Sequence, residues 1–268
     1  MSQMDAVSST TTSSGPAVLG RVILALILRE VHTIYGNTNL GYLWAIITTA
    51  FGIAVFWCFR LVMGSRMPQQ MSMLLFLVCG MVVVQMITGI IGSCMNAVRG
   101  NRPLLTFPQV TELDLMFGRT IVIWGTKIVS AFILLVIGAI FFDQEYEIRR
   151  PEALFAGLLV APLLGLGLGM CLASLARMWP TLERIVPMAM RILFFASGTF
   201  YAVGELPSRV ANILLYNPLA QVVEWQRYCF TASCALPVFS LSYIFAWCGG
   251  TLCLGLLLER HVRGKPLQ

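Results

Sequence analysis

Three observations predict an all-α, polytopic membrane fold with six transmembrane helices. Apolar runs long enough to cross a bilayer recur along the 268 residues. Charged residues make up 11% of the chain against 58% hydrophobic, with a mean hydropathy of +0.82; a soluble domain carries about 25% charge. The 18 lysines and arginines are scattered, most of them at the ends of the apolar runs, and form no block. Loop charge falls that way in a membrane protein, so the net charge of +6 does not indicate a nucleic-acid partner.

Residues 1–17 are Ser/Thr-rich and lack a basic start and an apolar run. They predict a disordered cytoplasmic tail, not a cleavable signal. Residues 18–268 form one membrane domain. In "RVILALILREVHTIYG", Arg21, Arg29 and His32 share one helical face while Ile23, Leu26, Ile27 and Ile34 favour the other. That pattern predicts an amphipathic helix lying in the membrane interface.

Spans follow at Leu40–Met63, Met73–Val98, Phe117–Phe142, Ala153–Ala176, Ile185–Val203 and Pro237–Leu258. At about 1.5 Å per residue they match a hydrocarbon layer of about 30 Å. The fifth is the shortest and holds Pro187 and Arg191. Residues 204–236 contain two short apolar stretches broken at Asn217-Pro218. They predict two short re-entrant helices on the outer side, with a structured outer loop as the alternative.

Six spans put both termini on one side. With that side inside, the inner segments carry Arg21, Arg29, Arg99, Arg102, Arg119, Arg177, Arg184, Arg191, Arg260, Arg263 and Lys265, against Arg66, Arg149, Arg150, Arg209 and Arg227 outside. The bias predicts cytoplasmic termini.

No catalytic constellation accompanies these spans. The chain has no phosphate-binding GxxxxGK[ST] and no HExxH, and His32 and His261 lie far apart. Glu145 and Glu147 sit two residues apart on a short polar loop, where solvation and not acid–base work is the ordinary reading. Cys58, Cys79, Cys94, Cys171, Cys248 and Cys253 fall within apolar runs and read as small core residues. The redox state of Cys229 and Cys234 stays open at this level.

A few residues stand out against that background. Lys127 lies near the middle of the third span, where a charge costs at least about 2.5–3.5 kcal/mol. It is either a contact for an anionic substrate or a lysine hydrogen-bonded between helices. Arg60, near the outer end of the first span, can snorkel to the interface. Gly157, Ala161, Gly165, Gly169 and Ala173 recur every four residues, a stripe for close helix approach within the chain or between subunits. Trp44 and Trp57 in the first span, and Phe200 and Tyr201 in the fifth, fit an interfacial belt or a stacking surface for sugar rings.

"YGNTNLGYLWAII" (Tyr35–Ile47), "MNAVRGNRPLLTFPQVTELDLMFGR" (Met95–Arg119) and "YNPLAQVVEWQR" (Tyr216–Arg227) together resemble the permease subunit of ABC-2 type polysaccharide exporters. The nearest likeness is to capsular polysaccharide export inner-membrane proteins of Gram-negative bacteria. The resemblance runs from about Gly20 to the end. It implies a second copy of the chain and two copies of a cytoplasmic ABC ATPase. ATP and Mg belong to that ATPase, and no cofactor is expected in this chain. It further implies periplasmic and outer-membrane export proteins as partners, and a lipid-linked, often acidic glycan as cargo.

The segment 99–114 is placed like the coupling helix that docks into the ATPase, with Leu104, Leu105 and Phe107 as an apolar plug bounded by Pro103 and Pro108. Arg99 and Arg102 would pair with acids on the ATPase, and Asn101 and Gln109 complete the contact. The short helices of 204–236 resemble the periplasmic gate helices. Trp44, Trp57, Arg60, Lys127, Phe200 and Tyr201 are the candidates for the glycan pathway. Two alternatives stand beside this reading. One is an ABC-2 permease for O-antigen, teichoic acid, a drug or a lipid. The other is a membrane glycosyltransferase-type enzyme, which would need an acidic or histidine cluster that the loops do not offer.

Overall fold

The computed structural model describes residues 40–63, 71–100, 111–142, 146–230 and 239–262. All regular structure among them is helical. In chain order the helices are α1 (Leu40–Met63), α2 (Met73–Gly100), α3 (Glu112–Phe142), α4 (Pro151–Met178), α5 (Leu182–Phe195), α6 (Ser208–Leu215), α7 (Pro218–Tyr228) and α8 (Leu241–Val262), with a 3₁₀ turn at Val203–Glu205. The interfacial helix expected near Arg21–Gly36 and the segment 101–110 lie outside the described residues.

Four helices, α2, α3, α4 and α8, are long and apolar enough to cross a membrane, and α1 adds a shorter apolar stretch at Ile46–Cys58. The predicted fifth span takes a different form. Its helix stops at Phe195 after 14 residues, about 21 Å of rise, too little alone to cross about 30 Å of hydrocarbon. Gly198 turns the chain with φ 71°, a conformation glycine adopts without a Cβ penalty. Ser197 Oγ donates to Phe194 O at 2.6 Å and lies 2.7 Å from Thr199 Oγ1, fixing the turn.

The bundle is built around α2. Phe76, Val84, Ile87, Ile90, Ile91 and Cys94 have no exposed surface, which makes this helix the centre of the core. The small-residue stripe of α4 explains how its neighbours approach so closely. A Cβ on Gly165 would stand 3.2 Å from Ile90 Cβ, and one on Gly169 2.9 Å from Cys94 Cβ. The stripe therefore packs within the chain, against α2, and at Gly157 against Trp225 and Gln226 of α7. Another α4 glycine, Gly167, abuts Thr251 and Leu252 of α8. Such contacts carry helix association where lipid supplies no hydrophobic drive.

The long helices define two ends. The Met73 end collects the turn after α5, α6, α7 and the start of α8. The Gly100 end collects the starts of α3 and α5 and the end of α4. Asn217 begins α7 by accepting a bond from Leu219 N at 3.0 Å, with Pro218 at the first helical position. The break expected at Asn217-Pro218 is thus a helix cap. Cys229, just after α7, is a buried free thiol, and burial pushes its pKa up to about 11. Cys234 lies outside the described residues.

Candidate functional site

Lys127 is the sixteenth of the 31 residues of α3, the helix midpoint. Its Nζ donates to Gln85 Oε1 of α2 at 2.7 Å and to Thr49 Oγ1 of α1 at 3.1 Å. Thr49 Oγ1 in turn donates to Gln85 Oε1 at 2.9 Å, and Thr49 is fully buried. One ammonium therefore joins three helices at the depth where water is scarcest. Among the described residues no carboxylate lies within ion-pair distance of it. Neutral oxygens orient this charge, and among the described residues no carboxylate pairs with it.

Seven residues further along α1, two turns and about 10 Å on the same face, Phe56 stacks on Phe200 with centroids 3.6 Å apart. Phe194 and Phe195 meet the same ring at 5.4 and 5.8 Å, and Trp57, like Phe56, Phe194 and Phe200, packs against the buried core around Ile53 and Phe76. Tyr201 Oη donates to Phe195 O at 3.0 Å, bracing the turn that carries Phe200. Of the aromatic candidates, Trp57, Phe200 and Tyr201 are thus gathered at the Met73 end. Trp44 stands apart near the other end of α1, 66% exposed. Arg60 lies in the last turn of α1.

Arg227 of α7 is a site residue that the sequence hides. It reads there as one of five outer charges, yet it has no exposed surface. Its Nη1 donates to Gly198 O at 2.7 Å, Tyr201 O at 3.2 Å and Glu224 Oε1 at 3.2 Å. Its Nη2 donates to Thr199 O at 2.9 Å, and its guanidinium sits 3.6 Å over the Phe76 ring. Glu224 Oε1 also accepts from Val203 N at 3.1 Å. A planar, multi-donor head suits a turn that presents several carbonyls at once. This hub fixes the turn that holds Phe200 and Tyr201. The only sequence signal for it is an acid–base pair at i, i+3 in "EWQR".

The Gly100 end frames the segment expected to couple. Thr111 and Asp114 form a capping box at the start of α3: Thr111 N and Oγ1 donate to Asp114 Oδ2 at 2.9 and 2.7 Å, and Asp114 N donates back to Thr111 Oγ1 at 3.3 Å. Glu112 receives Arg177 Nη1 of α4 on both oxygens, at 2.6 and 2.7 Å, with both side chains nearly buried. Arg119 Nη1 donates to Ser93 O of α2 at 3.0 Å. Side chains thus tie α3 to α2 and α4 within two turns of residue 111. Of the coupling candidates, Arg99 falls in the last turn of α2. Asn101, Arg102, Leu104, Leu105, Phe107, Pro108 and Gln109 lie outside the described residues.

Comparison with known proteins decides the family. The profile of the family described as ABC-2 type transporter matches residues 21–231. The chain belongs to the ABC-2 type transporter family. It is 28% identical over 249 residues to the polysialic acid transport protein KpsM of Escherichia coli, covering 92% of this chain and 95% of the relative. It is 24% identical over 257 residues to the capsule polysaccharide export inner-membrane protein BexB of Haemophilus influenzae, covering 94% and 95%. To the capsule polysaccharide export inner-membrane protein CtrC of Neisseria meningitidis it is 28% identical over 232 residues, covering 84% of each.

As an ABC-2 protein the chain is a membrane transport subunit. The match spans α1 to α7, including the Lys127 cluster, the aromatic cluster and the Arg227 hub. The resemblance carried by the three quoted strings therefore leads to the right family. Sequence reasoning also singled out Lys127, Trp57, Phe200 and Tyr201 one by one. It did not foresee Thr49, Gln85 and Phe56, which have no charge or motif to mark them.

Proposed function

We propose that this ABC-2 permease moves a capsular polysaccharide, lipid-anchored and anionic, across the bacterial inner membrane. Two copies pair around the route, and two cytoplasmic ATPase subunits bind ATP and Mg and drive it. Periplasmic and outer-membrane export proteins receive the glycan. The observation that carries this reading is similarity over most of the chain's length to three proteins named for polysialic acid transport or capsule polysaccharide export.

The geometry supports an acidic cargo. A cation held at mid-span by neutral oxygens lowers the cost of desolvating a passing carboxylate or phosphate. The aromatic ring cluster about two turns away offers flat apolar faces to sugar rings.

In this reading the Gly100 end faces the cytoplasm, six segments cross the membrane, and both termini lie inside. The excess of basic residues at that end supports the orientation. The short helices α6 and α7, on the opposite side, act as the gate. The segment 99–114 docks on the ATPase, and the capping box and the Glu112–Arg177 pair give it a rigid footing.

The test is complementation of a strain lacking its own copy, with surface capsule as the readout, beside the Phe107→Asp variant. Wild type restores capsule. Phe107→Asp reaches the membrane but neither exports nor co-purifies with the ATPase, because an unpaired charge in an apolar groove costs several kcal/mol. Export by that variant at normal level would remove the docking role. Failure of wild type to restore capsule, with its ATPase present, would remove the capsular cargo.

A further inference from the structure

The helix α5 packs by one side only. Leu182, Val186, Met190 and Phe194 recur every four residues and rest against the buried core. At about 100° per residue, Arg184, Met188, Arg191 and Phe195 fall on the opposite side. All four are exposed, and so is Ile192 beside them.

Two features set this face apart from a surface made for lipid. The first is its charge. Arg184 and Arg191 stand seven residues apart, two turns and about 10 Å along the same face. Neither guanidinium has a hydrogen-bond or ion-pair partner among the described residues. Arg119, Arg177 and Arg227, by contrast, are each held by an oxygen of another segment.

The second is depth. Arg191 is the tenth of the 14 residues of α5, about 14 Å of rise from Leu182 at the Gly100 end. One turn further on, Phe194 and Phe195 meet the Phe200 ring at the Met73 end. Arg191 thus lies between the two ends of the bundle. A charge there is costly against lipid, and such residues face a water-filled route or an opposite charge.

We propose that the exposed face of α5 lines the export route, and that Arg184 and Arg191 are successive contacts for the anionic groups of the polymer as it enters from the Gly100 end. This rests on the export of an anionic polymer. A guanidinium left unpaired by its own chain offers several N–H donors to a passing oxyanion, replacing water it has lost. Two such contacts in series, neither of them buried, favour entry and still permit release. Beyond Arg191 the same face leads to Phe195 and the aromatic cluster.

The test reads this face without the cargo. Met188→Cys, one turn from each arginine, is placed in a chain whose eight native cysteines are replaced, and the permease is assembled with its ATPase in inverted membrane vesicles. It is labelled with a sulfonate-bearing methanethiosulfonate and with the trimethylammonium analogue, each rate taken relative to a free thiol. The anionic reagent reacts several-fold faster, and adding Arg191→Gln cuts that preference about threefold. In cells, Arg191→Gln lowers export several-fold at normal membrane abundance, and Arg191→Lys exports more than the Gln variant. No reaction at Met188→Cys would set the face against lipid or a second copy and overturn the route. Labelling without preference for the anion, or a preference that Arg191→Gln leaves unchanged, overturns the arginine contacts. Undiminished export by the double variant Arg184→Gln, Arg191→Gln overturns their part in transport. Should Met188→Cys not accumulate, Ile192→Cys decides the same point. The labelling does not depend on which polymer is carried, so a failure of the capsular reading is told apart from a failure of this one.

Discussion

Two cations held inside this bundle are treated in opposite ways. Arg227 is sealed at the Met73 end, given several backbone carbonyls, a carboxylate and an aromatic face. Lys127 is half-buried at mid-span and is held by two neutral side-chain oxygens. Arg227 is consumed by its surroundings, and its work is to fix a turn. Among the described residues the Lys127 ammonium is oriented by neutral oxygens and meets no carboxylate. The difference teaches that burial alone does not say what a charge does; the partners gathered around it decide whether it is spent on holding a turn. Arg177 stands between them, bound to one carboxylate at the Gly100 end.

The comparison breaks most visibly at Arg227. Arg227→Met leaves Glu224 in an apolar site without its guanidinium, and breaking such a pair costs about 3–5 kcal/mol. The amount of folded permease in the membrane falls sharply. Arg227→Lys does not restore it, because one ammonium cannot replace the guanidinium fork that reaches Gly198, Tyr201 and Thr199 together. Normal abundance of Arg227→Met would remove the hub from the folding of this end.

The next effect is at the Glu112–Arg177 pair. Glu112→Gln keeps the shape and removes the negative charge, at about 1.5–3 kcal/mol for a charged hydrogen bond. Membrane abundance drops moderately, and ATPase co-purification drops with it if this pair anchors the coupling segment. Loss of abundance with co-purification per folded molecule unchanged would confine the pair to stability.

The smallest effect on abundance is expected at Lys127. Lys127→Met loses two hydrogen bonds but also removes a mid-membrane charge that costs at least about 2.5–3.5 kcal/mol, so the two terms oppose each other. The variant accumulates normally and exports less polymer, while Lys127→Arg exports more than the Met variant. Low abundance of Lys127→Met would assign the residue to structure. Undiminished export in both variants would take it out of the mechanism.

Much of this was legible before any coordinates. The four long spans follow from apolar run length, because a membrane allows few alternatives to a helix. The i, i+4 small residues of α4 announced close packing. The form of the fifth span could not be read from composition, for its helix ends at Phe195. "FFASGTFYAV" is apolar enough to continue a helix, but its Gly198 takes φ 71° and Arg227 captures the adjoining carbonyls. Local sequence carries no trace of an arginine almost 30 residues away.

The sequence by itself determined the membrane class, the family likeness and the depth of Lys127, since these depend on run length and residue type along one chain. Tertiary structure alone decided what each charge is paired with. It brought Thr49, Gln85 and Lys127 of three helices to one point. It turned Arg227 from an apparent loop charge into a buried clamp, and it left Arg184 and Arg191 on an exposed face of α5. The physical reason is range. Hydrophobic periodicity is written into neighbouring residues, whereas the neutralisation of a buried charge depends on partners set 36 to 78 positions apart that only packing brings together.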